Sequence, residues 1–298
     1  MSSACDCLAD ISSWTAAHHL KLNLSKTELL FIPGKDCPRM DLSFTVEDVT
    51  VSPLSMARNL GVLLDSRLSC APNITTVAQS CRFALYNIRR ILSFLTNDAT
   101  QLLVISRLVN CNSLLAGLPA SVTKPLQHIQ NTAAHLVYNL PKFSHVTPLL
   151  HDLHWLSVAA RIRSKTMVLA FKAVNKTAPI YLQTLVRPHT PARALCSTTS
   201  AGWLVPPSLR ANKARSVKSR LFSSLAPQWW NELPTNVRTA ESLSIFRIRL
   251  KTCLFRIHLD THSLTPSQPI SDIKKKCMHL YVRIVSTSIV ALMHLKNV

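Results

Sequence analysis

Between Ser2 and Asp65 the spacing of apolar residues shortens from a helical to an extended period, and this switch limits what the front of the chain can fold into. Ser2 to Ala17 sets Leu8, Ile11 and Trp14 three residues apart, the spacing of one helical stripe. Leu29–Ile32, Leu42–Val46 and Val49–Val51 are then short apolar or alternating runs, separated by Pro33-Gly34, Glu47-Asp48 and Pro53. That order predicts a helix followed by antiparallel strands, with Asn59–Asp65 as the next strand, closing a small sheet against the helix.

Beyond Asp65 the period is helical. Thr75–Leu95 puts Ala78, Cys81, Leu85, Ile88, Leu92 and Leu95 on one face, with Arg82, Arg89 and Arg90 largely elsewhere. Asp98 suits the N-cap of a second helix running to Ala116, which Gly117 and Pro119 end. A third spans Lys124–Leu140, with Pro125 in its first turn, Leu126, Ile129, Ala133, Leu136 and Leu140 inward, and Pro141 as its stop. His145–His154 and Ser157–Val174 continue the pattern, the latter carrying Arg161, Arg163, Lys165 and Lys172 around Ile162, Val168, Leu169 and Phe171. Thr190–Pro207 reads as a linker or extended loop. A last helix starts at Thr239 or Ser242, with Leu243, Phe246, Leu250, Leu254 and Ile257 inward and Arg247, Arg249, Lys251 and Arg256 around them. The class is α+β: a small antiparallel sheet with one helix, then a mostly α-helical remainder.

The blocks HHLKLNLSKTELLFI, ARNLGVLLDSRLS, SCRFALYNIRRI and SRLVNCNSLLAGLP occur in this order over roughly Ser2 to Leu259. Together they resemble the C-terminal part of a LINE-type (non-LTR) retrotransposon reverse transcriptase. The resemblance implies a palm remnant with a primer-grip-like hairpin at 1–68, with Leu60, Gly61 and Val62 in the grip. It further implies a thumb-like helical bundle at 69–140, a basic helical region at 141–260 and a divergent tail at 261–298. It makes Arg82, Arg89 and Arg90 candidate phosphate contacts. Where the family usually reads SRLDYCNSLL, Val109-Asn110 replace Asp-Tyr, which suggests a decayed copy.

In that family the first block follows a catalytic Asp-Asp turn, so the chain is expected to begin after it. Polymerases hold two metal ions on such carboxylates. No adjacent Asp-Asp occurs in this sequence, and Glu47-Asp48 falls at an expected hairpin tip. Lys26, in NLSKTE, matches the late palm lysine, a point charge near nucleotide phosphates; without carboxylates it is equally well a solvated residue before a strand. The family is an RNA-directed DNA polymerase using Mg2+, but this chain is expected to bind no cofactor and to be inactive alone.

Charge points to the partner. Of 298 residues, 34 are Lys or Arg and 14 Asp or Glu, a net +20. Residues 1–65 carry 5 basic and 8 acidic side chains, or −3; residues 66–298 carry 29 and 6, or +23. A basic region beside a near-neutral one favours a polyanion, RNA, RNA–DNA hybrid or DNA rather than a small-molecule substrate, with Arg161, Arg163, Lys165, Arg247, Arg249 and Lys251 as candidate contacts. Arg210, Lys213, Arg215, Lys218 and Arg220 form the densest run, suited to phosphate contact, nuclear import or a solvated loop. Trp229-Trp230 beside it reads either as a base-stacking pair or, more simply, as a buried plug.

Alternatives are a non-functional product of a degenerate element, or a basic membrane-surface or tail-anchored protein. Lys274-Lys275-Lys276 precedes Leu280–Leu295, an apolar run of 16 residues broken by Arg283. A spanning helix needs about 20. The nine cysteines (5, 7, 37, 70, 81, 111, 196, 253 and 277) never fall as C-x-x-C, and adjacent His18-His19 point about 100° apart on a helix, so neither makes a metal site. Scattered thiols without a signal-peptide pattern imply the cytoplasm or nucleus.

Overall fold

The computed structural model describes residues 2–20, 23, 26–32, 43–46, 49–189, 202–207 and 220–259. Two units form, Met1–Thr76 and Val77–Val298. The α+β class is observed, and helices predominate after the front of the chain.

In the first unit α1 spans Ser2–Ala17, as its period predicts. The strands are β1 (Leu29–Leu30), β2 (Phe44–Val46), β3 (Val49–Val51), β4 (Pro53–Leu54), β5 (Met56–Asn59) and β6 (Val62–Asp65). They pair two by two: β1 with β4 in parallel, β2 with β3 and β5 with β6 antiparallel. The strand expected over Asn59–Asp65 is observed over Val62–Asp65 as β6, while its first residues form the corner of the β5–β6 hairpin. Asn59 faces Val62, and Leu60 and Gly61 turn the chain at φ 47° and 82°, the positive pair of a type I′ turn. Ribbons of two short strands offer no broad face, and Ile11 and Trp14 of the α1 stripe are exposed, with Trp14 stacked on His18 at 4.2 Å. Glu28 accepts from the Arg58 amide at 2.7 Å and so ties the entry of β1 to β5.

Asp65 ends the hairpin and starts the next helix. Its carboxylate accepts from the amides of Ser69 and Cys70, both at 3.0 Å, just before α2 (Ala71–Arg90). Burial pushes its pKa up, but these hydrogen bonds outweigh burial and hold it below the ordinary value. Asn73 accepts from the Leu63 amide at 3.0 Å, fastening β6 to the first turn of α2. In α2 Ala78, Cys81, Leu85 and Ile88 are buried, as the pattern predicts, and Ile74 in the first turn is buried with them. The helix stops at Arg90, and Leu92–Phe94 is a separate 3-10 turn.

The second unit continues with α3 (Asn97–Val109). Its cap is Thr96, whose Oγ1 accepts from the Ala99 amide, and not Asp98 two residues on. The helix expected to reach Ala116 breaks at Asn110. Cys111 turns left-handed at φ 49°, and Asn112–Leu115 forms a 3-10 turn. Next come α4 (Ala120–Val137), α5 (Val146–Asp152), α6 (Val158–Val174), α7 (Ile180–Gln183), α8 (Phe222–Asn231), α9 (Thr235–Arg238) and α10 (Leu243–Leu259). Because α4 starts at Ala120 behind Pro119, Pro125 lies in its second turn; Leu126, Ile129 and Ala133 are buried, while Val137 takes the inner place expected for Leu140, which is exposed.

Three aromatic rings centre the second unit. Phe171 of α6 stacks on Phe246 of α10 with centroids 4.4 Å apart, and Trp230 of α8 stacks on the same Phe246 at 5.6 Å. Phe246, Leu250 and Leu254 are fully buried; Ile257, expected inward, is exposed. The Trp230 indole donates to the Gly202 carbonyl at 2.6 Å, and the Asn231 amide side chain bonds both the amide and carbonyl of Leu204. Residues 202–204 are thereby laid across α8.

Candidate nucleic-acid interface

The start of α6 is set by α4. The Val158 amide donates to Gln127 at 2.9 Å, buried Gln130 donates to the Leu156 carbonyl at 2.8 Å, and Ser157 caps the Ala160 amide. With that end fixed, Ile162, Thr166, Met167, Ala170 and Ala173 fill the core, and the basic side chains fall outside it. On α10 the Ser242 hydroxyl accepts from the Ile245 amide, Phe246, Leu250 and Leu254 turn inward, and Arg247, Arg249 and Lys251 flank them.

The two helices run antiparallel. Phe171 meets Phe246 at one end; toward the other, the charge of Arg163 reaches Cys253 and His258. Burial raises the Cys253 thiol pKa against the opposing pull of Arg163, and partial burial together with Arg163 lowers that of His258. The charge of Arg247 on α10 also acts on Lys165 of α6. Desolvation first, and the Arg247 guanidinium next, push the Lys165 pKa below its usual value; Lys172, two turns along, adds to this and Cys111 opposes it. Two other cations, one on α6 and one on α10, thus oppose the charged form of Lys165.

The other expected contacts are distributed differently. Arg163 is engaged: its Nη2 donates to Glu232 at 2.5 Å and to the Trp229 carbonyl at 3.4 Å, and its guanidinium lies over the Trp229 ring. It ties α6 to α8. Arg161 donates to the Leu156 carbonyl at 2.8 Å and Arg249 to the Asn236 carbonyl at 2.6 Å. Arg82, Arg89 and Arg90 project from α2 into solvent. Arg220 is half-buried beside Gly117, and Lys251 is half-buried on α10. Arg210, Lys213, Arg215 and Lys218, Glu47-Asp48, and the tail with Leu280–Leu295 lie outside the described residues. Lys26 is exposed; Leu60 and Gly61 form the exposed turn and Val62 is buried.

Sequence reasoning missed Arg238, which is 8% exposed, lies 4.2 Å over the ring of Trp203, and leaves Nε and Nη1 without hydrogen-bond acceptors. It also missed Arg107, which donates to Ser80 of α2 at 2.8 Å. Trp230 is the buried plug, while half-buried Trp229 carries Arg163.

Among the described residues no group of three or more His, Cys, Asp or Glu side chains is placed to hold a metal ion, and no helix is long and apolar enough to cross a membrane. No family model, no curated protein and no solved structure matches the chain.

Proposed function

We propose that this chain is the end of the palm, the thumb and the basic C-terminal region of a LINE-type reverse transcriptase, and that it grips RNA or RNA–DNA hybrid through phosphate contacts without catalysing synthesis alone. The observation that carries the binding half is the net charge of +23 over residues 66–298, to which Lys165, Lys172 and Arg247 of α6 and α10 contribute. A phosphate chain answers an excess of positive charge, and each phosphate neutralised releases condensed counterions. The blocks NLSKTE, RNLGVLLD and SCRFALYNIRRI support the family assignment, and the lack of any Asp-Asp pair supports the absence of catalysis. The cytoplasm or nucleus is the compartment that fits such a partner.

The test is a salt titration of binding to single-stranded RNA and to hybrid, with primer extension run alongside in Mg2+ and Mn2+. Log affinity falling linearly with log salt, with no extension, is the expected result. Binding that ignores salt, or nucleotide incorporation by the isolated chain, overturns the reading.

A further inference from the structure

Helix α2 spans Ala71–Arg90 and contains no acidic residue. At about 100° per residue, Arg82, Phe83, Tyr86, Arg89 and Arg90 share an arc of roughly 120°, away from the buried Ile74, Ala78, Cys81, Leu85 and Ile88. All five are exposed, the two rings included, Phe83 at 67% and Tyr86 at 62%. Apolar rings left in water carry a standing hydration penalty. Here they are bracketed by three guanidiniums.

We propose that this face of α2 is a stacking platform for unpaired nucleotides of single-stranded RNA, with Phe83 and Tyr86 taking bases and Arg82, Arg89 and Arg90 the flanking phosphates. The inference rests on the nucleic-acid reading above and specifies where and how strands are held. Residues three apart on a helix have Cβ atoms about 5–6 Å apart, so the two rings address neighbouring bases rather than one. Every base has a π-face, so such a platform is tolerant of sequence but not of pairing: inside a duplex the faces are already covered. Charge excludes a cationic partner, and the guanidiniums answer a polyanion. Arg107, fixed to Ser80 on the same helix, adds a cation at the rim.

The experiment uses the full chain, a short single-stranded oligoribonucleotide carrying 2-aminopurine, and a blunt RNA duplex. In Phe83→Ala/Tyr86→Ala, single-strand affinity is expected to fall about tenfold or more, with 2-aminopurine quenching lost, the salt slope unchanged and duplex binding unaffected. Phe83→Trp/Tyr86→Trp restores both. Since both side chains are exposed, circular dichroism of the variants matches wild type. If wild type binds but the alanine pair binds the single strand as tightly, or loses duplex affinity equally, the platform is overturned while the broader reading stands. If wild type binds no nucleic acid, both fall. Self-association that the alanine pair abolishes, without any quenching, identifies a protein contact and also overturns the platform.

Discussion

Arg163 and Glu232, 69 residues apart in sequence, meet at 2.5 Å with the arginine stacked on Trp229, so a conspicuous cation of α6 serves to fasten α8. Glu232→Gln removes the counter-charge from a largely buried guanidinium. It is expected to lower stability by about 1 kcal/mol, the carboxylate being half-exposed, and to leave RNA affinity equal or slightly higher. Urea denaturation and a salt titration on one preparation check both halves, and a cycle with Arg163→Gln isolates the pair.

The opposing charge of Arg247 on Lys165 predicts opposite signs for folding and binding. Lys165→Gln relieves repulsion and is expected to stabilise slightly, by about 0.5 kcal/mol or less at this exposed position, while the salt slope of RNA binding drops by about one unit. The folded pKa of Lys165 is lowered, so between that value and its ordinary 10.5 the unfolded chain binds more protons. Stability contributed by this group therefore rises with pH across that alkaline window. The increment is read as the difference between wild type and Lys165→Gln in denaturant midpoints; a variant with the same alkaline trend refutes it.

Asp65 gives the opposite pH window. Its folded pKa is depressed, so its contribution is complete above the unfolded value of 3.8 and is lost as pH falls through the folded one. Asp65→Ala leaves the Ser69 and Cys70 amides without their acceptor and is expected to cost about 1–2 kcal/mol at neutral pH. Hydrogen exchange in the first turn of α2 is the direct probe.

Two glycines with the same backbone sign separate strain from collision. Gly61, at φ 82°, has open space where a Cβ would stand, so Gly61→Ala is expected to cost only the left-handed penalty of about 1–2 kcal/mol. Gly117, at φ 73°, would set that atom 2.8 Å from Leu225 Cδ1 and 3.3 Å from the Arg220 backbone; about 3 kcal/mol is expected. Leu60→Asn, at the exposed left-handed residue before Gly61, should stabilise by about 0.5 kcal/mol. Melting temperatures of the three variants give the order directly.

The sequence was most legible where period and punctuation agreed. α1 and α6 each carry an apolar repeat with a clear edge, and their bounds follow from it. The β5–β6 corner was hidden because its first turn residue is Leu60, not a residue that ordinarily favours positive φ. The break after Val109 was hidden for a related reason: Cys111 goes left-handed with neither Gly nor Pro at that point, while the apolar pattern runs on through the 3-10 turn. At the candidate interface, charge could be counted from the sequence but its pairing could not. Nothing local to Arg163 announces Glu232, and nothing local to Lys165 announces Arg247, because both depend on the antiparallel meeting of helices far apart in the chain.

That meeting has a consequence for synthesis on the ribosome. Phe171 emerges long before Phe246, Leu250 and Leu254, the side chains that cover it, so a nascent chain displays the greasy side of α6 until α10 follows. Stalled or prematurely terminated translation products ending before α10 would therefore be clients for chaperones and proteases.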